Sequence, residues 1–142
     1  MEKNSLKRTA LFEIHTALGA RMVGFSGWEM PVLYSAIAQE HRAVREAAGL
    51  FDISHMGEFQ FDGPDTLEFL NRMLTNDLAR LEPGCGQYSL LCQENGGVID
   101  DLYAYRLGQD RYLLIVNASQ LEVDWMWIKA QRNARHKSLQ LE

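Results

Sequence analysis

Leu11, Ile14 and Leu18 recur at helical spacing with His15 beside them, which predicts an amphipathic helix over residues 6–18, stopped by Gly19. The next stretch, Met22-Val-Gly-Phe-Ser-Gly-Trp-Glu-Met-Pro31, shows neither period. It predicts irregular chain with heavy side chains to bury. Ile37, His41, Val44 and Ala48 restore the helical stripe and predict a helix over residues 35–48, with Gly49 as its C-terminal cap.

The pattern then changes. Gly57-Glu-Phe-Gln-Phe61 alternates as a short strand, Gly63-Pro64 turns, and Asp65-x-x-Glu68 opens a helix whose Leu67, Leu70, Met73 and Leu74 face a core. Three strands follow, over residues 87–93, 98–107 and 112–117. The first two are joined at Glu94-Asn-Gly-Gly97, and Asn-Gly between apolar runs is a strong hairpin signal. Ser119-x-x-Glu122 has capping-box spacing and predicts a helix to about residue 135 that buries Leu121, Trp125 and Ile128. Ser138-Leu-Gln-Leu-Glu142 alternates as a further strand.

Residues 51–142 thus predict β-α-β-β-β-α-β, an α+β fold with a hairpin-linked antiparallel sheet and helices packed on one face. Residues 1–50 form a separate helical and irregular segment. A strand at the last residue suggests a piece of a longer protein, whose unfinished edge at residues 139–142 favours pairing with another chain or self-association.

At 142 residues with 46% hydrophobic and 23% charged side chains, the chain predicts an ordinary globular core that needs no staples. A net charge of −5 argues against a nucleic-acid binder, and the basic run at residues 129–137 reads as the solvated end of a helix. No apolar run reaches the roughly 20 residues that cross a bilayer, and no signal-peptide core is evident, so a soluble, intracellular protein is expected. Cys85 and Cys92 read as reduced cysteines, and the spacing of His15, His41, His55 and His136 suggests no metal site.

Asp100 and Asp101 stand inside a predicted strand, a setting that disfavours aspartate. Alternation sends them to opposite faces. Asp101 shares its face with Ile99, Tyr103, Tyr105 and Leu107; Asp100 shares the other with Val98, Leu102, Ala104 and Arg106. The pair could simply finish the hairpin turn. If the aromatic face lines a cavity, Asp101 is instead a carboxylate aimed at a ligand. It could then bind the N–H groups of a heterocycle, act as a general acid or base, or hold a cation, and composition does not separate these.

Six motifs in order carry a resemblance: Arg8-Thr-Ala-Leu-Phe12, Gly24-Phe-Ser-Gly-Trp-Glu-Met-Pro31, Phe51-Asp-Ile-Ser-His-Met-Gly-Glu58, Thr75-Asn-Asp77, Asn95-Gly-Gly-Val-Ile-Asp-Asp-Leu102 and Val116-Asn-Ala118. Through them the chain resembles the N-terminal part of the glycine cleavage T-protein family, the tetrahydrofolate-dependent aminomethyltransferases. The resemblance implies transfer of a one-carbon unit from the lipoyl arm of a partner H-protein to tetrahydrofolate, with release of ammonia and no metal. It implies a cytoplasmic protein, or a mitochondrial one if the source is eukaryotic.

Residue by residue, it implies that Asp101 holds and polarises the pterin nitrogens, the catalytic and binding role, while Asn117 contacts the folate. Tyr88 lies beside the ring and Met56 forms an apolar wall. Asp100 is expected to be a supporting or turn-stabilising residue, and Trp28 and His55 to pack. The family's later pocket residues have no counterpart in these 142 residues, so the chain alone is expected to be inactive as a transferase. Related demethylases, the folate domains of dimethylglycine- or sarcosine-oxidising enzymes, iron–sulfur-assembly relatives and a non-catalytic interaction fragment are the competing readings.

Overall fold

The computed structural model describes residues 5–132 and 139–142. They divide into two compact units, Met1–His55 and Met56–Glu142.

In the first unit, β1 (Lys7–Arg8) is followed by α1 (Phe12–Ala17), β2 (Arg21–Phe25), β3 (Trp28–Leu33) and α2 (Ile37–Glu46). The stretch expected to be irregular is a β-hairpin. Strands β2 and β3 pair antiparallel around Ser26 and Gly27, whose φ values of 47° and 82° place both in the left-handed region, as a tight hairpin turn of the primed type requires. Ser26 lacks the Asn or Asp that advertises such a turn, and Pro31 argues against a strand. Pro31 is tolerated because β1 pairs only with Trp28 and Glu29, so β3 is an edge strand beyond them.

That parallel pairing also shortens the first helix. Lys7 N–H donates to the Gly27 carbonyl at 2.9 Å and Arg8 pairs with Glu29 at 3.0 Å, which holds Lys7 and Arg8 extended. Only Phe12–Ala17 is left to coil. Helix α2 forms as expected, but no residue of it is buried, and Gly49 has no left-handed φ.

The second unit contains β4 (Gly57–Asp62), α3 (Thr66–Met73), a 3-10 turn (Leu78–Arg80), β5 (Gly86–Cys92), β6 (Val98–Arg106), β7 (Arg111–Val116), α4 (Leu121–Gln131) and β8 (Gln140–Leu141). The strands form one antiparallel sheet in the order β5-β6-β7-β4-β8, the α+β arrangement expected from the pattern. One face is closed by helices. Phe59, Phe61, Leu91, Leu102, Ala104, Tyr112, Leu114 and Val116 meet Phe69, Leu70 and Met73 of α3 and Ile128 of α4 in a single core. Phe59 stacks near Trp125 with ring centres 5.0 Å apart, and Phe61 near Phe69 at 6.3 Å. Burying each such side chain is worth about 1.5–3 kcal/mol.

The opposite face of the sheet is open. Tyr88, Asp101, Tyr103 and Tyr105 are exposed on it. Two local expectations fail here. The α4 helix begins after Gln120 without a side-chain cap, because the Gln120 amide instead reaches the Ile99 carbonyl at 3.3 Å. A register shift opposite Leu91 and Cys92 makes Ile99 the extra residue of a bulge, so it packs against the core instead of sharing the face of Asp101. Part of the basic run, with His136 and Ser138, lies outside the described residues.

Candidate functional site

The hairpin turn sets the geometry. Gly96 adopts φ 86°, its N–H donates to the Gln93 carbonyl at 2.9 Å, and the Asn95 side chain accepts from Gly97 N–H at 2.9 Å. Pairing from this turn places Ser89, Leu102, Val116 and Gly57 opposite one another across four strands. One residue beyond that row lie Leu90, Asp101, Asn117 and Met56. One residue before it lie Tyr88, Tyr103, Ile115 and Glu58. Both flanking rows belong to the open face by alternation. The four residues singled out by resemblance, Asp101, Asn117, Tyr88 and Met56, therefore come from β6, the end of β7, β5 and the start of β4 to one end of one face.

Three of the four are joined by hydrogen bonds. Tyr88 Oη donates to Asp101 Oδ2 at 3.1 Å, and Asn117 Nδ2 donates to Asp101 Oδ1 at 3.1 Å. The same Nδ2 reaches the Asp101 carbonyl and Asp100 Oδ1, each at 2.9 Å. Three oxygens around one nitrogen settle the orientation of the amide. Its Oδ1 is turned away from them and remains able to accept. The hydrogen bond to Asp101, burial and the nearby charges of Asp101 and Asp100 raise the Tyr88 phenol, so it stays a donor at neutral pH. Met56 is half-buried one residue ahead of β4, with no polar role.

Asp100 does not finish the turn. It is buried on the helix-covered face and accepts from the Asn117 backbone N–H at 3.3 Å and from Asn117 Nδ2. Arg106, on the same face, spends its guanidinium on the carbonyls of Leu81, Gly108 and Gln109. Behind Asp100 lies Asp124 in the first turn of α4, fully buried, with no protein donor on either oxygen. Burial above all, and then the neighbouring Asp100 carboxyl, push Asp124 up to about 7. Pattern reasoning overlooked this residue. Its signal was its place in Leu121, Asp124, Trp125 and Ile128, a carboxylate on the apolar stripe of a helix.

A second polar cluster stands in the first unit. His15 Nε2 lies 2.8 Å and Thr9 Oγ1 2.7 Å from Asp52 Oδ2, Ser54 N–H donates to Asp52 Oδ1 at 2.9 Å, and His15 Nδ1 lies 2.6 Å from Tyr34 Oη. Burial alone would raise Asp52, but the bonds from His15, Ser54 and Thr9 outweigh it and hold the carboxylate well below its usual range. Grooves of about 500 and 380 Å³ also lie in this unit, lined largely by apolar side chains of α1, α2 and β3. None of the residues joined at Asp101 lines them. Trp28 carries Lys7 5.6 Å over its ring, a packing role.

Among the described residues, no group of three His, Cys, Asp or Glu side chains is placed to hold a metal ion, and no helix is long and apolar enough to cross a membrane.

Fold and site together define an α+β domain with one sheet face closed by helices and the other open and lined by tyrosines, an amide and a carboxylate. The GCVT N-terminal domain family matches residues 11–142, and the chain belongs to that family. It is 59% identical over 128 residues to the aminomethyltransferase of Symbiobacterium thermophilum, covering 90% of this chain and 34% of that protein. Against the aminomethyltransferase of Bacillus subtilis it is 51% identical over 124 residues, covering 87% and 34%. The crystal structure of the glycine cleavage system aminomethyltransferase T from Bartonella henselae superposes with a TM-score of 0.87 at 38% identity, covering 96% of this chain and 38% of that one. The chain spans about a third of the length of the curated relatives it matches.

Proposed function

We propose that this chain supplies one wall of the folate site of a tetrahydrofolate-dependent aminomethyltransferase of the glycine cleavage system, and that the Met56–Glu142 unit carries that wall. The single observation behind this reading is the convergence of Asp101, Tyr88 and Asn117 on the open end of the sheet.

The residues suit a pterin edge. Each Asp101 oxygen already accepts one hydrogen bond and retains a lone pair, so the carboxylate takes N–H groups of the ring while Asn117 Oδ1 takes another. Tyr88 and Asn117 fix the carboxylate before the ligand arrives, which is positioning and electrostatic work and not covalent chemistry. Met56 supplies apolar contact at the rim. When bound, tetrahydrofolate provides the nitrogen that takes up the one-carbon unit delivered on the lipoyl arm of the H-protein. Both substrates meet in the cytoplasm.

An open face covers only one side of a flat ligand, whereas small-molecule sites enclose most of theirs. The 142 residues alone therefore bind tetrahydrofolate weakly and do not catalyse transfer. Calorimetric titration of tetrahydrofolate into the wild-type chain and into Asp101→Asn tests the site. Loss of a charged acceptor predicts roughly ten- to a hundredfold weaker binding by the variant. Equal affinities would remove Asp101 from the site.

A further inference from the structure

The Thr75-Asn-Asp77 motif takes no part in the reading above, yet all three of its side chains are engaged. Asp77 Oδ1 accepts from Asn71 Nδ2 and from Ala79 N–H, each at 2.9 Å, which caps the 3-10 turn. Thr75 and Asn76 face the other way, onto β5, the outer strand of the sheet. In an antiparallel pair every second residue directs its backbone N–H and C=O away from the partner strand. On β5 these are Tyr88 and Leu90, and the motif meets them. Thr75 N–H donates to the Leu90 carbonyl and Leu90 N–H donates to Thr75 Oγ1, both at 3.1 Å. Asn76 Nδ2 donates to the Tyr88 carbonyl at 2.5 Å, and Asn76 N–H donates to Ser89 Oγ at 3.1 Å.

This clasp covers a strand edge, and it also reaches the open face. Tyr88 Oη stands 3.1 Å from Asp101 Oδ2, so a displacement of β5 by about half an ångström takes the hydroxyl past hydrogen-bond distance. The strand is held from one side by β6 and from the other by Thr75 and Asn76. Those two residues follow Leu74, which bridges to Leu91, and α3, whose Phe69, Leu70 and Met73 are buried in the core. The outer strand is thereby tied to the core at the residue whose hydroxyl orients the carboxylate. We propose that Asn76, seated by Thr75, is a positioning residue of the folate wall: its amide fixes the Tyr88 backbone and so keeps the phenol on Asp101.

A role confined to edge protection would leave the phenol where it is, because β6 would still hold β5 in register. A positioning role moves it. Asn76 is exposed, so removing its amide takes nothing from the core. Asn76→Ala deletes the donor, and Asn76→Leu replaces it by an uncharged group of nearly the same shape. The ligand-facing consequence rests on the folate reading; the hold on Tyr88 does not.

The test compares this chain with the two Asn76 variants, with Tyr88→Phe and with the double variant of Asn76→Leu and Tyr88→Phe. The ionisation of Tyr88 and of Tyr103 is followed through the carbon-13 signal of the phenol carbon, and tetrahydrofolate is titrated into each protein. In the wild type the bond to Asp101 holds the Tyr88 phenol above the ordinary tyrosine value. Both Asn76 variants should bring it down toward that value and leave Tyr103 unmoved, and tetrahydrofolate should bind them a few-fold more weakly, about as weakly as it binds Tyr88→Phe. The double variant should bind no more weakly than Tyr88→Phe alone, because Asn76 acts through the phenol. A Tyr88 ionisation unchanged in both Asn76 variants, or a double variant in which the two losses multiply, would overturn the proposal. A wild type that binds no tetrahydrofolate, while the Tyr88 phenol still moves in the variants, would instead overturn the folate reading and leave the hold on Tyr88 standing. Should one Asn76 variant fail to fold, the other decides.

Discussion

The buried side chains of the second unit run from Phe59 and Phe61 through Phe69, Leu70 and Leu78 to Leu114 and Ile128, whereas those of the first, among the described residues, are Thr9, His15 and Met30. One unit is organised by an apolar core, the other by a hydrogen-bonded carboxylate. Each also hides an aspartate, with opposite chemistry. Asp52 is surrounded by donors and is held as an anion; Asp124 is buried with no donor on either oxygen and is pushed toward its protonated form. What separates them is whether the polar neighbours arrive with hydrogens.

The largest effect that distinguishes the units comes from the core. Leu114→Ala deletes a fully buried side chain at the centre of the sheet and should cost about 3–5 kcal/mol, read from a shift of the urea midpoint. A cost below about 1 kcal/mol would mean that the second unit is not organised by this core.

The two buried aspartates predict pH dependences of opposite sign. Asp52 is depressed below its unfolded value, so its stabilisation of the first unit is complete above about pH 5 and is lost as the pH falls through 4 and below. Asp124 is raised from 3.8 to about 7, so its protonated form favours the second unit below about pH 4, and that contribution, a few kcal/mol, drains away as the pH rises to 7. Hydrogen exchange by unit should show the first opening in acid and the second becoming less protected toward neutrality. Asp52→Asn and Asp124→Asn should each flatten one slope only. Parallel slopes in both units would break the comparison.

The smallest effect lies on the open face. Tyr88 is 52% exposed and its hydroxyl serves Asp101. Tyr88→Phe should change stability by less than about 0.5 kcal/mol while weakening tetrahydrofolate binding a few-fold. A large stability loss would make Tyr88 a structural residue and not a ligand-facing one.

The parts of this molecule that rest on local rules were readable in the chain. Asn95-Gly-Gly97 specified a hairpin, the hairpin specified the register, and the register sent Asp100 inward and Asp101 outward. Where a contact distant in sequence decided the outcome, pattern reasoning failed. Lys7 and Arg8 were taken from a helix by pairing with β3, and the Ser26-Gly27 turn made a hairpin from a stretch with no alternation. Ser119 has capping spacing, but the loop closes through Gln120 and Ile99. The Asn117–Asp101 contact joins residues 16 positions apart, so their types were visible while their meeting was not. The resemblance named Asn117 and Tyr88; only the sheet shows how they touch Asp101.

The claim on which the rest depends is that the open face, and not the apolar grooves of the first unit, takes the pterin. Mapping tetrahydrofolate onto the backbone amide resonances of the isotopically labelled chain tests it directly. The account predicts that the largest shifts fall at Tyr88, Asp101, Asn117 and Met56. Shifts confined to the groove around Leu11, Ile14, Leu18 and Tyr34, with those four residues unmoved, would contradict it.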